Sequence, residues 1–154
     1  MNIIELKEKQ IAADEAKLKA TYLQFESLLR ELSMSVLPTD SIMRINERVE
    51  IVNSSALTGK ELTKLIKEQE TTILKQIAKE NKLVPKNYYR NLWMLFGISG
   101  IGLPIGVAIG LSAGNIGLLG IGLPIGMSLG LAIGMLLDKK ALTEGKQLNI
   151  EIKQ

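Results

Sequence analysis

Gly100-Ile-Gly-Leu-Pro-Ile-Gly-Val-Ala-Ile-Gly-Leu111 recurs as Gly120-Ile-Gly-Leu-Pro-Ile-Gly-Met-Ser-Leu-Gly-Leu131, identical at nine of twelve positions and offset by 20 residues. Both copies lie between Arg90 and Asp138, in a run of 47 residues that carries no charge and holds 12 of the chain's 14 glycines. As one α-helix, rising about 1.5 Å per residue, that run would extend roughly 70 Å, more than twice the ~30 Å hydrocarbon thickness of a bilayer. One span is excluded and two fit. Turn chemistry occurs within the run only at Ser112-Ala113-Gly114-Asn115. The reading is a transmembrane hairpin over residues 87–138, with spans at about 92–111 and 116–137.

A turn between the copies makes them run in opposite directions, as an inverted repeat. Pro104 and Pro124 are each ten residues from Gly114, which places them level, about 15 Å from the turn and near mid-bilayer. Gly102 is then level with Gly126, and Gly106 with Gly122. Each proline removes the hydrogen bond to the carbonyl four residues earlier, at Gly100 and Gly120, and predicts a kink. Ser99 and Ser128 are among the few nearby hydroxyls that can satisfy those carbonyls, and the two readings are a local kink in a packed bundle and a carbonyl-lined constriction in an oligomer. Gly102, Gly106, Gly110 and Gly114, then Gly122, Gly126, Gly130 and Gly134, form ladders of small residues. Such ladders let helices in lipid approach backbone to backbone. Their partners are the other arm, another chain, or both. A step of four advances 400°, so a ladder drifts about 40° per step and winds across more than one neighbour, which favours assembly of several hairpins.

Lys82, Lys86 and Arg90 precede the first span and Lys139, Lys140 and Lys146 follow the second, whereas the turn carries no charge. The positive-inside rule then puts both termini in the cytoplasm, with the chain in the inner (plasma) membrane. Tyr88, Tyr89 and Trp93, with Phe96, gather at the start of the first span, where amphipathic rings anchor at headgroup level. Residues 139–154 read as a short cytoplasmic tail. The start of the sequence shows no signal-peptide pattern, so the first span is the expected insertion signal.

Residues 1–86 hold one glycine, Gly59, and read as a cytoplasmic helical domain, with helices at about 3–37, 40–53 and 59–83. Leu18, Tyr22, Phe25, Leu29, Leu32 and Val36 are spaced 4, 3, 4, 3, 4, the seam of a coiled coil. Continued backward, the line meets Glu15, Ile11, Glu8 and Ile4, so the early turns are expected to pack more loosely. Pro38 ends the first helix and Thr39 or Asp40 caps the second. Thr58-Gly59-Lys60-Glu61 has the form of a capping box for the third. The seam serves either a bundle closing on itself or assembly between chains. The fold class is therefore all-α, a helical, coiled-coil-like domain followed by a two-span hairpin.

Composition removes most chemistry. The chain has no cysteine and no histidine, hence no disulfide, no thiolate, no commonest metal ligand and no usual neutral-pH acid/base group. Residues 1–90 carry 15 basic and 13 acidic side chains, a mixed surface without a nucleic-acid stripe. Gly100, Gly102 and Gly106 have the wrong spacing for a dinucleotide fingerprint, and no Lys-Ser/Thr follows for a phosphate loop. Glu47, Glu50, Glu68 and Glu70 read as solvated surface among lysines. No catalytic residue, metal or cofactor is expected.

The Gly-x-Gly-x-Pro-x-Gly-x-x-x-Gly copies followed by Asp138-Lys139-Lys140-Ala141 resemble the hairpins of small bacterial glycine-zipper membrane proteins, over residues 92–146. The resemblance implies membrane insertion and self-association and carries over no catalytic residue. The expectation is a homo-oligomeric membrane module, with a pore-forming or membrane-disrupting effector of toxin or defence type as its sharp form. The alternative is an anchor that presents residues 1–86 to a cytoplasmic protein partner.

Overall fold

The computed structural model describes residues 2–7, 9, 11 and 15–152, and the fold is all-helical, with no strand among the described residues. Two compact units divide it: residues 1–84 with 148–154, and residues 85–147.

The first unit is built from α1 (Ala16–Ser33), α2 (Thr39–Ser54) and α3 (Gly59–Glu80), with α3 packing on both α1 and α2. Helical spacing puts Leu18, Tyr22, Phe25, Leu28, Leu29 and Leu32 on one side of α1, Ile45, Val49 and Val52 on one side of α2, and Leu62, Ile66, Ile73 and Ile77 on one side of α3. These residues form a single buried core. The expected seam is thus covered by the chain's own helices as far as Leu32. Val36 leaves it. The α1 helix stops at Ser33 rather than near residue 37, and Val36 stands fully exposed in the connection to Pro38.

The expected helix start near residue 3 is also displaced. Residues 2–7, 9, 11 and 15 are non-helical, and residues 2–7 lie along the unit as an extended strap. Residues 8, 10 and 12–14 of the expected helix lie outside the described residues. At the second helix, Pro38 itself occupies the cap position, its carbonyl accepting from Ile42 N at 3.1 Å. Thr58 caps α3 by position, yet its hydroxyl makes no cap bond. Gly59, at φ +57°, turns the backbone out of the geometry a capping box needs. The α3 helix ends at Glu80, with Lys82 in the left-handed region.

The supposed tail is divided between the units. Leu148 is buried in the core of the first unit, its N–H donating to Val84 O at 2.9 Å, and Asn149 N donates to the Glu31 carboxylate at 3.0 Å. The chain therefore leaves the first unit at Val84 and rejoins it beside the same residue.

The second unit is the hairpin. Its first arm runs without interruption over Tyr88–Ser112 as α4 (Tyr88–Phe96), a π-helical turn (Gly97–Gly102) and α5 (Leu103–Ser112). Gly114, at φ +62°, reverses the chain, and the Asn115 side chain accepts from Gly117 N at 2.9 Å to cap a 3-10 turn at Ile116–Leu118. The second arm continues as α6 (Leu119–Thr143), several residues beyond the expected end at 137. The arms are 25 and 28 residues long, and both are long and apolar enough to cross a membrane.

Candidate functional site

The face joining the two arms is made of backbone. A Cβ placed on Gly122 would lie 2.1 Å from Gly102 O and 2.3 Å from Gly106 N. One on Gly126 would lie 2.2 Å from Gly97 O and 2.5 Å from Gly102 N, and one on Gly130 would lie 2.1 Å from Trp93 O. Gly134 faces the backbone of Tyr89 and Arg90, and Gly106 faces Leu119 O. The levels counted from the turn, Gly102 with Gly126 and Gly106 with Gly122, are thus found in contact. Gly110 is buried near Asn115 at ordinary contact distance, whereas Gly114 has open space around it and serves the turn instead.

Gly97, absent from the expected ladder, is part of the seam. Its place follows from the π turn. A ladder counted in fours assumes a uniform α-helix, but an i→i+5 turn brings residues five apart onto one face. Gly97 and Gly102 are five apart and flank that turn, so the first arm is stepped Trp93, Gly97, Gly102, Gly106 while the second keeps steps of four. The Leu103 N–H donates to Ile98 O within this wide register. Pro124, with the same local sequence, sits inside regular α-helix. The serines do not serve the freed glycine carbonyls: Ser99 Oγ donates to Leu95 O and Ser128 Oγ to Pro124 O, both at 2.8 Å.

At the open end of the hairpin, the buried Asp138 carboxylate accepts from Tyr89 N at 3.0 Å and Arg90 N at 2.9 Å. The α4 helix lacks a cap of its own, because Asn87 at φ +61° makes no side-chain cap bond. Asp138 supplies that cap from the other arm, with a negative charge at the positive end of the helix dipole. The sequence marks Asp138 as the end of the uncharged run and the start of the Asp138-Lys139-Lys140-Ala141 segment, not as a cap. Yet Arg90 and Asp138 are both 24 residues from Gly114, so the counting that levelled the prolines also finds this pair. Beside the clasp, Tyr88 and Tyr89 meet edge to face with centroids 5.2 Å apart, and Trp93 lies 6.4 Å from Phe96.

In the first unit Glu47, Glu50 and Glu68 are exposed as expected, but Glu70 is buried. Burial raises its carboxyl pKa above the ordinary value, opposed by the Gln24 amide, which donates to both oxygens at 2.9 and 3.1 Å, and by the nearby Lys67 charge. Next to it in sequence, the buried Gln69 Oε1 accepts no hydrogen bond. Among the described residues no group of three or more acidic, Cys or His side chains is placed to hold a metal.

The strap lies along α2. Asn46 Nδ2 donates to Asn2 O at 3.0 Å while its Oδ1 accepts from Ile4 N at 2.9 Å. Two turns along, Asn53 Nδ2 donates to Glu5 O at 3.1 Å and its Oδ1 accepts from Lys7 N at 2.8 Å. Ile3 and Leu6, the bracketed residues, pack on the core, and the Tyr22 hydroxyl donates to Lys7 O.

Comparison with protein-family models, with curated proteins and with solved structures gives no match to this chain.

Proposed function

We propose that the chain is a two-span membrane anchor tethering a three-helix unit for a partner protein. One observation carries the reading: the hairpin is inside out relative to a water-soluble protein. Its inner face is bare glycine backbone, and its outer face exposes Leu95, Leu111, Met135 and Leu136 at 60–75%. An apolar outer surface of this extent needs an apolar solvent. The positive flanks and the uncharged turn favour an orientation with both ends of the hairpin in the cytoplasm. The anchor is preferred to an assembly because the two surfaces that argued for assembly, the ladders and the α1 seam, find their partners within one chain. Alkaline extraction of membranes tests the reading, with the protein expected to stay in the pellet. A single cysteine at Ala113 is expected to react with impermeant reagent from the outer side alone. Release by alkali defeats the proposal.

A second reading, a self-assembling module with a pore as its extreme form, is favoured by one further observation. Gly100, Pro104, Ala108 and Ser112 on one arm, and Gly120, Pro124, Ser128 and Ala132 on the other, are all exposed and stepped in fours. Small residues facing lipid permit close contact between hairpins. Light scattering in mild detergent separates the readings: a monomer over a wide concentration range removes the second, and an oligomer that makes liposomes leak supports it.

A further inference from the structure

The strap is held as a bound peptide is held. A carboxamide that donates to one backbone carbonyl and accepts from the amide two residues on recognises an extended chain whatever its side chains. Asn46 and Asn53 each do this, and their separation of seven residues, about 10.5 Å along a helix, matches three residues of extended chain at about 3.1–3.4 Å each. Between these brackets Ile3 and Leu6 supply two apolar anchors three residues apart.

Two further observations mark the strap as a replaceable occupant. It underfills its site: an open cleft of about 800 Å³ lies beside it, lined by residues 2–6 of the strap, by apolar side chains such as Leu29 and Ile42, and by the polar Glu26, Arg30, Ser33 and Ser35. It also opposes its own sequence. Glu5, Leu6 and Lys7 are strong helix formers standing in a non-helical stretch, and α1 begins at Ala16 without a side-chain cap to stop it there. A local preference in conflict with the observed conformation lowers the cost of leaving it.

We infer that Asn46, Asn53 and the adjoining cleft form a binding groove for an extended partner peptide with apolar residues three apart, occupied in cis by residues 2–7. The occupant is a partner rather than a second copy. A second copy offers the identical segment, which the tethered one out-competes through its high effective concentration. A displacing peptide must fill what the strap leaves empty. This inference rests on the anchor reading for the existence of a partner and names its surface.

The test uses the full chain in detergent micelles and a labelled peptide of residues 2–11. The groove is opened by Ile3→Asp with Leu6→Asp in the chain, and in a second form by deleting residues 1–9. Either opened chain is expected to bind the peptide at least tenfold more tightly than the intact chain. Adding Asn46→Ala and Asn53→Ala is expected to weaken that binding at least tenfold. A peptide carrying Ile3→Phe, filling the cavity, is expected to bind the intact chain more tightly than the native peptide does. Absence of binding to both opened chains overturns the inference, as does binding indifferent to the two asparagines or an Ile3→Phe peptide that gains nothing. Loss of helicity in both opened chains also overturns it, since the strap is then part of the core. Dimers of the intact chain that vanish with Ile3→Asp and Leu6→Asp assign the groove to a second copy and overturn the partner assignment. Binding is measured in micelles, so a failure of membrane extraction sinks the anchor and leaves this result standing.

Discussion

The core of the three-helix unit and the seam of the hairpin are packed by opposite means. In the first, Phe25, Leu28, Leu32 and Ile66 fill the space between helices, and no backbone needs to touch. In the second, backbone meets backbone, and the seam exists because side chains are missing from Gly97, Gly102, Gly122, Gly126 and Gly130. In water the gain comes from removing apolar surface from solvent, which calls for large side chains. On the proposed membrane placement of the hairpin, that gain disappears and contact itself is what is left, which calls for small ones. Truncation should therefore damage one region and enlargement the other.

The largest effect expected is on the core side. Phe25→Ala leaves a cavity at a fully buried site and should cost about 3–5 kcal/mol, read from chemical unfolding followed by circular dichroism. An unchanged midpoint breaks the contrast. Next comes Gly126→Ala, whose added methyl meets the Gly97 carbonyl. It should cost about 1–3 kcal/mol, read from Trp93 fluorescence during melting in detergent. The matching control is Gly120→Ala, where the new Cβ has nothing within 4 Å. It should be neutral or stabilise by up to about 1 kcal/mol. Equal effects at the two glycines would dissolve the seam as drawn.

Between these lies Asp138→Ala, which removes the cap supplied across the hairpin and should cost about 1–2 kcal/mol, with faster amide exchange at Tyr89 and Arg90. The smallest effect sharpens the core side. A carboxyl whose folded pKa is raised binds its proton more tightly in the native state, so its ionisation lowers stability as pH rises through the window above the ordinary value near 4.5. Below that window Glu70 is protonated in both states and imposes no ionisation penalty. Glu70→Gln should therefore melt with the parent at pH 4 and above it at pH 7.

Much of the hairpin was readable because its signals are extreme: an uncharged run too long for one span, one cluster of turn residues, and an internal repeat whose symmetry fixes the levels. What counting in fours missed was the π turn, and with it Gly97, since no periodicity reports a change of helix type. Pro104 and Pro124 share the Gly-Ile-Gly-Leu before them, yet only the first follows a π turn; the two segments differ one step further back, Ile98-Ser99 against Leu118-Leu119, where the second is only starting its helix. In the first unit the apolar spacing of α1, α2 and α3 gave the core directly. The strap was read as helix because its residues favour helix. Its extended form comes from Asn46, Asn53 and Tyr22, more than a dozen positions away, which no local pattern contains. Glu70 was taken for surface because charge alone does not reveal which side of α3 a tertiary neighbour will cover.

The hydrogen bond from Leu148 to Val84 gives the molecule an order of manufacture. Leu148 follows the end of α3 by 68 residues, so at about 5–20 residues per second it emerges roughly 3–14 s after the three helices that will enclose it. Both arms of the hairpin are synthesised in that interval. Completion of the core thus comes after the hairpin, and a chain stalled within the hairpin lacks Leu148, the last fully enclosed side chain of its first unit.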